Sequence, residues 1–246
     1  MEWLVVLTFV VALLSSTFSG MSGGGGGFLT VPYFIFIGLP PANALATAKM
    51  GAIGTSVGAI AAFNGKGVVH KKLVLPLMAI TLVCSLIAAW LIPRIDPGVF
   101  MNIIGAALIL LIPTMFTKKA SLQPGKRATP WLVAGFVLYT LFSFAQTVIG
   151  TGMGSILVVI LMLLFGLSAL ESNATKRVAQ SVQAFVLFVL LGVQGLVMWT
   201  HGIAALLGAL LGSNIGSRIA IKKGSQLVKI MLASLMAISG IALLVM

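Results

Sequence analysis

The sequence predicts an all-α polytopic membrane protein made of two inverted repeats, and three observations support this prediction. The 246 residues are 60% hydrophobic and 7% charged, whereas soluble domains carry about a quarter charged residues. The mean hydropathy is +1.19, and apolar runs of spanning length follow one another along the chain. The second half repeats the order of segments of the first half. At about 20 residues per crossing, the length allows about eight to ten membrane segments.

The first repeat, residues 1–117, is predicted to contain three full helices and a broken helix pair. The segments are Trp3–Phe18, a short run Phe28–Ile37, a long helix Asn43–Phe63, Leu73–Ile92 and Val99–Phe116. Gly23–Gly27 and the pair Pro40 and Pro41 interrupt the pattern where a spanning helix would continue. Lipid offers no hydrogen bonds, so such breaks persist only where protein or a water-filled cavity surrounds them. We therefore expect the broken pair to line a transport site.

The second repeat, residues 131–246, follows the same plan after a basic cytoplasmic linker, residues 118–130. Its segments are Trp131–Val148, a short run Ser155–Phe165, a long helix Ala174–Leu191, Ile203–Ile215 and Leu227–Val245. A break over Gly166–Asn173 separates the short run from the long helix. Both repeats together are expected to form one transport domain.

A single offset of 128 residues relates the two halves. Under this offset, Gly24 and Gly26 correspond to Gly152 and Gly154, and Lys49 corresponds to Arg177. Coincident glycines at both breaks are less expected by chance than coincident apolar residues. The offset therefore predicts that the two breaks meet in one site.

The charge distribution predicts that the repeats are inverted. The chain has 15 Lys and Arg against three Asp and Glu, a formal charge of +12, and the basic residues lie mostly in short loops. Placing the loop after Phe63 in the cytoplasm puts nearly all of these loops inside, as the positive-inside rule requires. Both termini are then outside. Because no basic face is interleaved with aromatic residues, this charge does not indicate a nucleic-acid partner.

The residue types at the breaks favour a substrate site for a small oxyanion. Glycines expose backbone N–H groups, and helices starting near Asn43 and Asn173 direct positive dipole ends at the breaks. The candidate substrate-binding residues are Lys49, Arg177, Gly24, Gly25, Gly26, Asn43, Thr47, Gly152, Gly154, Asn173 and Thr175. As alternatives, the glycines serve close helix packing and the asparagines only cap their helices.

Lys49 and Arg177 supply the positive charge of this candidate site. A cation inside a membrane helix usually faces a cavity, although a long side chain also snorkels to an interface. Lys176 competes with Arg177 for the inward direction, because adjacent helical residues point about 100° apart. Glu171 is expected to form an ion pair with Lys176 or Arg177, with proton coupling as the alternative.

Catalytic apparatus is not visible in the sequence. There is no Ser–His–Asp set, no HExxH motif and no phosphate loop, and the single Cys84 belongs to no cysteine framework or metal-ligand cluster. We therefore expect no enzyme activity, no catalytic residue, no metal and no cofactor. An anion channel is the alternative to a carrier, and a membrane-integral enzyme or sensor is a third class.

Two sequence stretches and an echo in the second half resemble the TauE/SafE sulfite exporter family of prokaryotic membrane permeases. They are FSGMSGGGGGFLTVP (Phe18–Pro32), GLPPANALATAK (Gly38–Lys49), and GTGMGSILVV with ATKR in the second half. The resemblance implies a plasma (inner) membrane transporter of sulfite, sulfoacetate or related organosulfonates. Coupling to protons, to sodium or to no ion stays open. Because Ser168 and Ala169 stand where the first break has Pro40 and Pro41, the two halves need not bind equivalently.

Overall fold

The computed structural model describes residues 2–24, 27–116, 129–150 and 154–222, which contain nine α-helices, one 3-10 turn and no strand. The helices are α1 Glu2–Ser22, α2 Gly27–Phe36, α3 Pro41–Phe63, α4 Lys71–Leu91, α5 Pro97–Phe116, α6 Thr129–Ile149, α7 Gly154–Phe165, α8 Ala169–Val193 and α9 Trp199–Lys222. The all-helical prediction is confirmed for these residues. The predicted helix Leu227–Val245 and most of the linker 118–130 lie outside them.

Six of the described helices are long and apolar enough to cross a membrane, namely α1, α3, α4, α6, α8 and α9. The total of eight to ten segments stays a prediction. α2 and α7, with 10 and 12 residues, are the short segments that the sequence predicts. Gly38 and Gly166 follow these helices with φ of +96° and +69°, in the left-handed region that a residue with a Cβ rarely adopts. Equivalent glycines therefore end both short helices.

The long helix of the second repeat begins earlier than predicted. α8 starts at Ala169 rather than Ala174, so the predicted break contracts to residues 166–168. Ser168 and Glu171 form a capping box: Ser168 N donates to Glu171 Oε2 at 2.8 Å, and Glu171 N donates to Ser168 Oγ at 3.3 Å. These reciprocal bonds satisfy two backbone donors at the helix start. The predicted N-terminus near Asn173 is therefore wrong.

Glycines let α9 pack closely on two helices of the first repeat. A Cβ added at Gly208, Gly212 and Gly216 would overlap with the carbonyl oxygens of Phe9, Leu13 and Thr17, respectively. The residue numbers rise together, so α9 runs parallel to α1. Gly54 and Gly58 of α3 approach Leu206 and Leu210 in the same way. Because α9 lies in the second half of the chain, and α1 and α3 lie in the first, the two halves do not form separate bodies.

α3 and α8 cross the centre of the molecule in opposite directions. Ala59 and Phe63, near the end of α3, cluster with Leu170 and Ala174, near the start of α8. At the other end, Ala46 belongs to the same buried cluster as Leu187 and Leu191. α4 packs along α8, where Thr81 Oγ1 donates to Ala179 O at 3.1 Å. The molecule thus places α1, α3 and α9 opposite α4, α6 and α8.

Three pairs of hydrogen bonds between the two halves are reciprocal under the 128-residue offset. In the first pair, Met198 N donates to Thr47 Oγ1 (3.0 Å) and His70 N donates to Thr175 Oγ1 (2.9 Å). In the second, Lys49 Nζ donates to Thr147 O (3.4 Å) and Arg177 Nη2 donates to Ser19 O (2.7 Å). In the third, Ser213 Oγ donates to Thr55 O (2.6 Å) and Ser85 Oγ donates to Gln183 O (3.5 Å). In each pair, a residue of one half donates to the other half, and the residue 128 positions away donates in the opposite direction. Such reciprocity is what an approximate two-fold relation between the halves produces.

The threonine pair gives a stability prediction. Thr47→Val and Thr175→Val each remove the hydroxyl that accepts a loop N–H, leaving that donor without its partner. We expect each variant to lose about 1 kcal/mol of unfolding free energy, and the double variant to lose about the sum. Thermal unfolding in detergent measures this, with the exposed Thr200→Val as the control. Unchanged unfolding of both variants would contradict a structural role for these hydroxyls.

Candidate functional site

A partly open cavity of about 40 Å³ lies where α3 and α8 cross. It is lined by Leu45, Ala48, Lys49, Ala52, Thr55 and Ser56 of α3, Gln146 and Gly150 at the end of α6, and Arg177, Gln180, Gln183 and Ala184 of α8. One bound water needs about 10–15 Å³ measured in this way. The cavity therefore accommodates a few waters or one small inorganic anion.

Lys49 brings an incompletely satisfied cation to this cavity. The side chain is 7% exposed, and its Nζ donates to Thr147 O at the long distance of 3.4 Å. An ammonium group has three donors, and burying them away from water is costly. Lys49 is thus available to an anion that enters the cavity.

Arg177 lines the same cavity and also directs one terminal nitrogen of its guanidinium to oxygen atoms of the protein itself. Its Nη2 donates to Ser19 O at 2.7 Å, to Ser19 Oγ at 2.8 Å and to Gly24 O at 3.1 Å. These bonds hold the end of α1 and the start of the first break. Arg177 Nε is buried without a hydrogen-bond partner. Arg177 is therefore both a clamp on the break and a source of charge for the cavity.

Three polar atoms of the cavity lining are buried without a partner: Gln146 Oε1, Arg177 Nε and Gln180 Nε2. Buried polar groups are nearly always hydrogen-bonded in native proteins, so their concentration around one void indicates a polar occupant. Gln183, by contrast, donates to Thr147 Oγ1. The lining offers both donors and an acceptor beside the two cations.

None of the chain's three acidic side chains reaches the cavity. Glu2 is exposed at the start of α1, and Asp96 Oδ1 accepts from the backbone N–H groups of Gly98 and Val99 at the start of α5. The half-buried Glu171 closes the α8 capping box, so the carboxylate has the capping role and not the expected ion pair with Lys176 or Arg177. The positive charge of the cavity is therefore not balanced by a protein carboxylate.

The predicted glycines have structural contacts where they are described. Gly24 O accepts from Ser19 Oγ and Arg177, and Gly154 O accepts from Lys176 Nζ at 3.0 Å. These two residues present carbonyl oxygens to cations, whereas the sequence led us to expect N–H groups facing an anion. Gly25, Gly26 and Gly152 lie outside the described residues.

The remaining predicted ligands lie beside the cavity rather than in its lining. Asn43 is the third residue of α3, and its Nδ2 donates to Leu196 O at 3.1 Å. Asn173 is buried beside Gly23, with Oδ1 unpartnered. Thr47 and Thr175 accept the loop N–H groups described above. Of the predicted site residues, the cavity lining brings together Lys49 and Arg177.

Sequence reasoning missed Thr55, Ser56, Gln180 and Gln183 as site candidates. A usable signal was present, because Gln180 and Gln183 follow Arg177 at three-residue steps. Residues three apart on a helix share a face. Polar residues repeating along the face of a buried cation therefore deserved inclusion.

The comparisons with known proteins agree with this architecture. The family described as sulfite exporter TauE/SafE matches residues 8–243. The chain belongs to the TauE/SafE family. Family membership and the apolar helices together make it a multi-pass membrane protein of a transporter family. No solved structure is a significant match to the chain.

Curated relatives of the chain carry transporter names. The chain is 26% identical to a "Probable membrane transporter protein" of Haemophilus influenzae, over 92% of this chain and 89% of the relative. It is 29% identical to "Probable membrane transporter protein ORF9" of a Sinorhizobium species, over 92% and 87%. It is 27% identical to "Probable membrane transporter protein YfcA" of Escherichia coli K12, over 98% and 90%.

Proposed function

We propose that this protein is a secondary transporter for small sulfur-containing oxyanions, with sulfite as the probe of choice. The observation that carries the proposal is the cavity that Lys49 and Arg177 both line without a protein carboxylate. An oxyanion supplies the missing negative charge and accepts charge-assisted hydrogen bonds from Lys49 Nζ and Arg177 Nε. Sulfoacetate and related organosulfonates carry the same oxyanion group and are the further substrates to compare with sulfite.

Alternating access in this proposal moves one set of helices against the other. The reciprocal hydrogen bonds and the opposite directions of α3 and α8 support two inverted repeats, as in other secondary transporters. The glycine contacts support α1, α3 and α9 as one unit, with α4, α6 and α8 as the other. The cavity lies between these units, so rocking at the α3–α8 crossing exposes it to each side in turn. Both termini are then outside a prokaryotic inner membrane.

Flux measurements test this function. The purified protein is reconstituted in proteoliposomes, and uptake of radiolabelled sulfite is followed as a function of concentration. A carrier gives saturable flux, which the Lys49→Ala, Arg177→Ala double variant should lower by about 100-fold or more, since each charge-assisted contact contributes about 1.5–3 kcal/mol. Lys72→Ala, which removes an exposed lysine, serves as the control.

Two results would reject parts of the proposal. Undiminished saturable flux in the double variant would reject the site. Sulfite flux that rises linearly with concentration and shows no counter-transport would identify an anion channel in place of a carrier.

A further inference from the structure

Lys176 joins the two breaks through backbone carbonyl groups. The side chain is fully buried, and its Nζ donates to Gly23 O and, at 3.0 Å, to Gly154 O. Gly23 follows the end of α1, whereas Gly154 begins α7. One ammonium group therefore links the first repeat's break to that of the second.

Lys176 has a different position from the cations of the cavity. Arg177 lines the cavity between α3 and α8, but Lys176 does not. Neighbouring residues on a helix point about 100° apart, which directs Lys176 toward the breaks. The two hydrogen bonds described above join Lys176 to backbone oxygens, and a role as substrate ligand does not follow from them.

Carbonyl oxygens from unwound segments form a site for a cation. In other transporters with inverted repeats, such oxygens coordinate a coupling Na⁺. Here the ammonium of Lys176 lies between the carbonyl oxygen of Gly23, which follows α1, and that of Gly154, the first residue of α7. The corresponding position in the first repeat is Ala48, which carries no charge. Lys176 is accordingly a feature of the second repeat alone.

We propose that Lys176 is a built-in cation that takes the place of a coupling metal ion between the two breaks. Gly23 and Gly154 then keep their positions without bound sodium, and transport is independent of sodium. This inference rests on the proposed transporter function for its consequence, but the cation site itself is testable without any substrate.

Removal of the lysine should create a vacant cation site. Thermal unfolding of purified Lys176→Ala is compared in choline, sodium and methylammonium chloride at equal ionic strength. We expect the variant to unfold about 10 °C below the wild type in choline, because two buried carbonyls lose their partner. Methylammonium or sodium should restore about half of this difference in a saturable manner. The wild type and Lys72→Ala should show no such difference between salts.

The contrary outcomes are equally definite. Wild-type stability of Lys176→Ala in choline, or no greater stability in methylammonium or sodium than in choline, overturns the proposal. Where Lys176→Ala gives no folded protein, the wild type is measured in choline and in sodium. An unfolding temperature and a sulfite flux that are the same in both salts support the proposal. Sodium dependence of either quantity overturns it. A cation-restored Lys176→Ala in a protein that does not move sulfite would reject the proposed substrate and retain the cation site.

Discussion

Lys49→Met is expected to weaken sulfite binding by about 10- to 100-fold while leaving the protein as stable as the wild type or more stable. Lys49 Nζ has one long bond of 3.4 Å to Thr147 O, so little is lost from the fold when the ammonium is removed. Replacing a poorly satisfied buried charge with an apolar side chain of similar shape is often neutral or stabilising. The bound anion, however, loses its most available cation.

Arg177→Met should behave differently in the same two measurements. The guanidinium holds Ser19 O, Ser19 Oγ and Gly24 O, and its removal leaves buried oxygens at the first break without their donor. We expect a loss of about 2–4 kcal/mol in unfolding free energy, together with weaker sulfite binding. The two repeat-related cations therefore separate into one that mainly serves the ligand and one that also holds the fold.

The comparison requires binding and stability on the same preparations. Sulfite titration calorimetry should show the dissociation constant of Lys49→Met raised by about 10- to 100-fold, and thermal unfolding should show its transition within about 2 °C of the wild type. Lys72→Met is the control for removing a lysine at an exposed position. Equal destabilisation by the Lys49 and Arg177 substitutions would instead make Lys49 a structural residue.

The sequence was sufficient to predict the bounds of those helices whose ends coincide with changes in amino-acid composition. The short run predicted at Phe28–Ile37 differs from α2 by one residue at each end. The run predicted at Ser155–Phe165 differs from α7 by one residue at its start and ends at the same residue. Their boundaries are set locally, by the apolar run and the glycine that follows it. The same local information placed Lys49 and Arg177 at matching positions, and the structure places both in one cavity.

The start of α8 was predictable but was assigned to the wrong residue. Pro41 opens α3, and the 128-residue offset transfers that start to Ala169, the observed first residue of α8. The motif from Ser168 to Glu171 gives the same boundary through its capping box. Polar residues after the break were interpreted as loop, whereas Ser172 and Asn173 are buried within the helix.

The partners of the cations were beyond the reach of the sequence. Arg177 contacts Ser19, and Lys176 contacts Gly23, at separations of 158 and 153 residues. These contacts depend on how α1 and α8 are brought together by the rest of the fold. Residue type alone predicts only that a buried cation needs oxygen partners, and backbone carbonyls are present at every residue.

Gly212→Ala should destabilise the protein strongly for a change of one methyl group. The added Cβ would overlap with the carbonyl oxygen of Leu13, and its next neighbours are the carbonyl carbon and Cα of the same residue. Helix backbone atoms cannot relieve the overlap by changing rotamer as a flexible side chain does, so α1 and α9 must move apart. Overpacking of this kind typically costs about 1–3 kcal/mol, which corresponds to about 2–12 °C in the unfolding temperature of a chain of this size.

Gly192→Ala is the matched control, near the end of α8. A Cβ at Gly192 would meet only Val197 Cγ2, at an ordinary contact distance of 3.8 Å. Because alanine has the higher helix propensity, by about 1 kcal/mol, this variant should be neutral or slightly stabilised. Equal unfolding temperatures of the two variants in detergent would contradict close backbone packing between α1 and α9.

Gly212→Ala also tests whether α1, α3 and α9 move together during transport, because it changes the α1–α9 contact without changing the cavity lining. Gly212 lies on the α1–α9 contact, away from the cavity lining, and small residues at such contacts let membrane helices approach closely. If α1, α3 and α9 move as one unit, spreading α9 from α1 should lower the maximal rate of sulfite flux, while Lys49 and Arg177 keep the binding constant near that of the wild type. A binding constant weakened as much as in Lys49→Met would mean that the cavity itself depends on this contact. Flux and binding measured together therefore decide whether α9 belongs to the moving unit or supports the site.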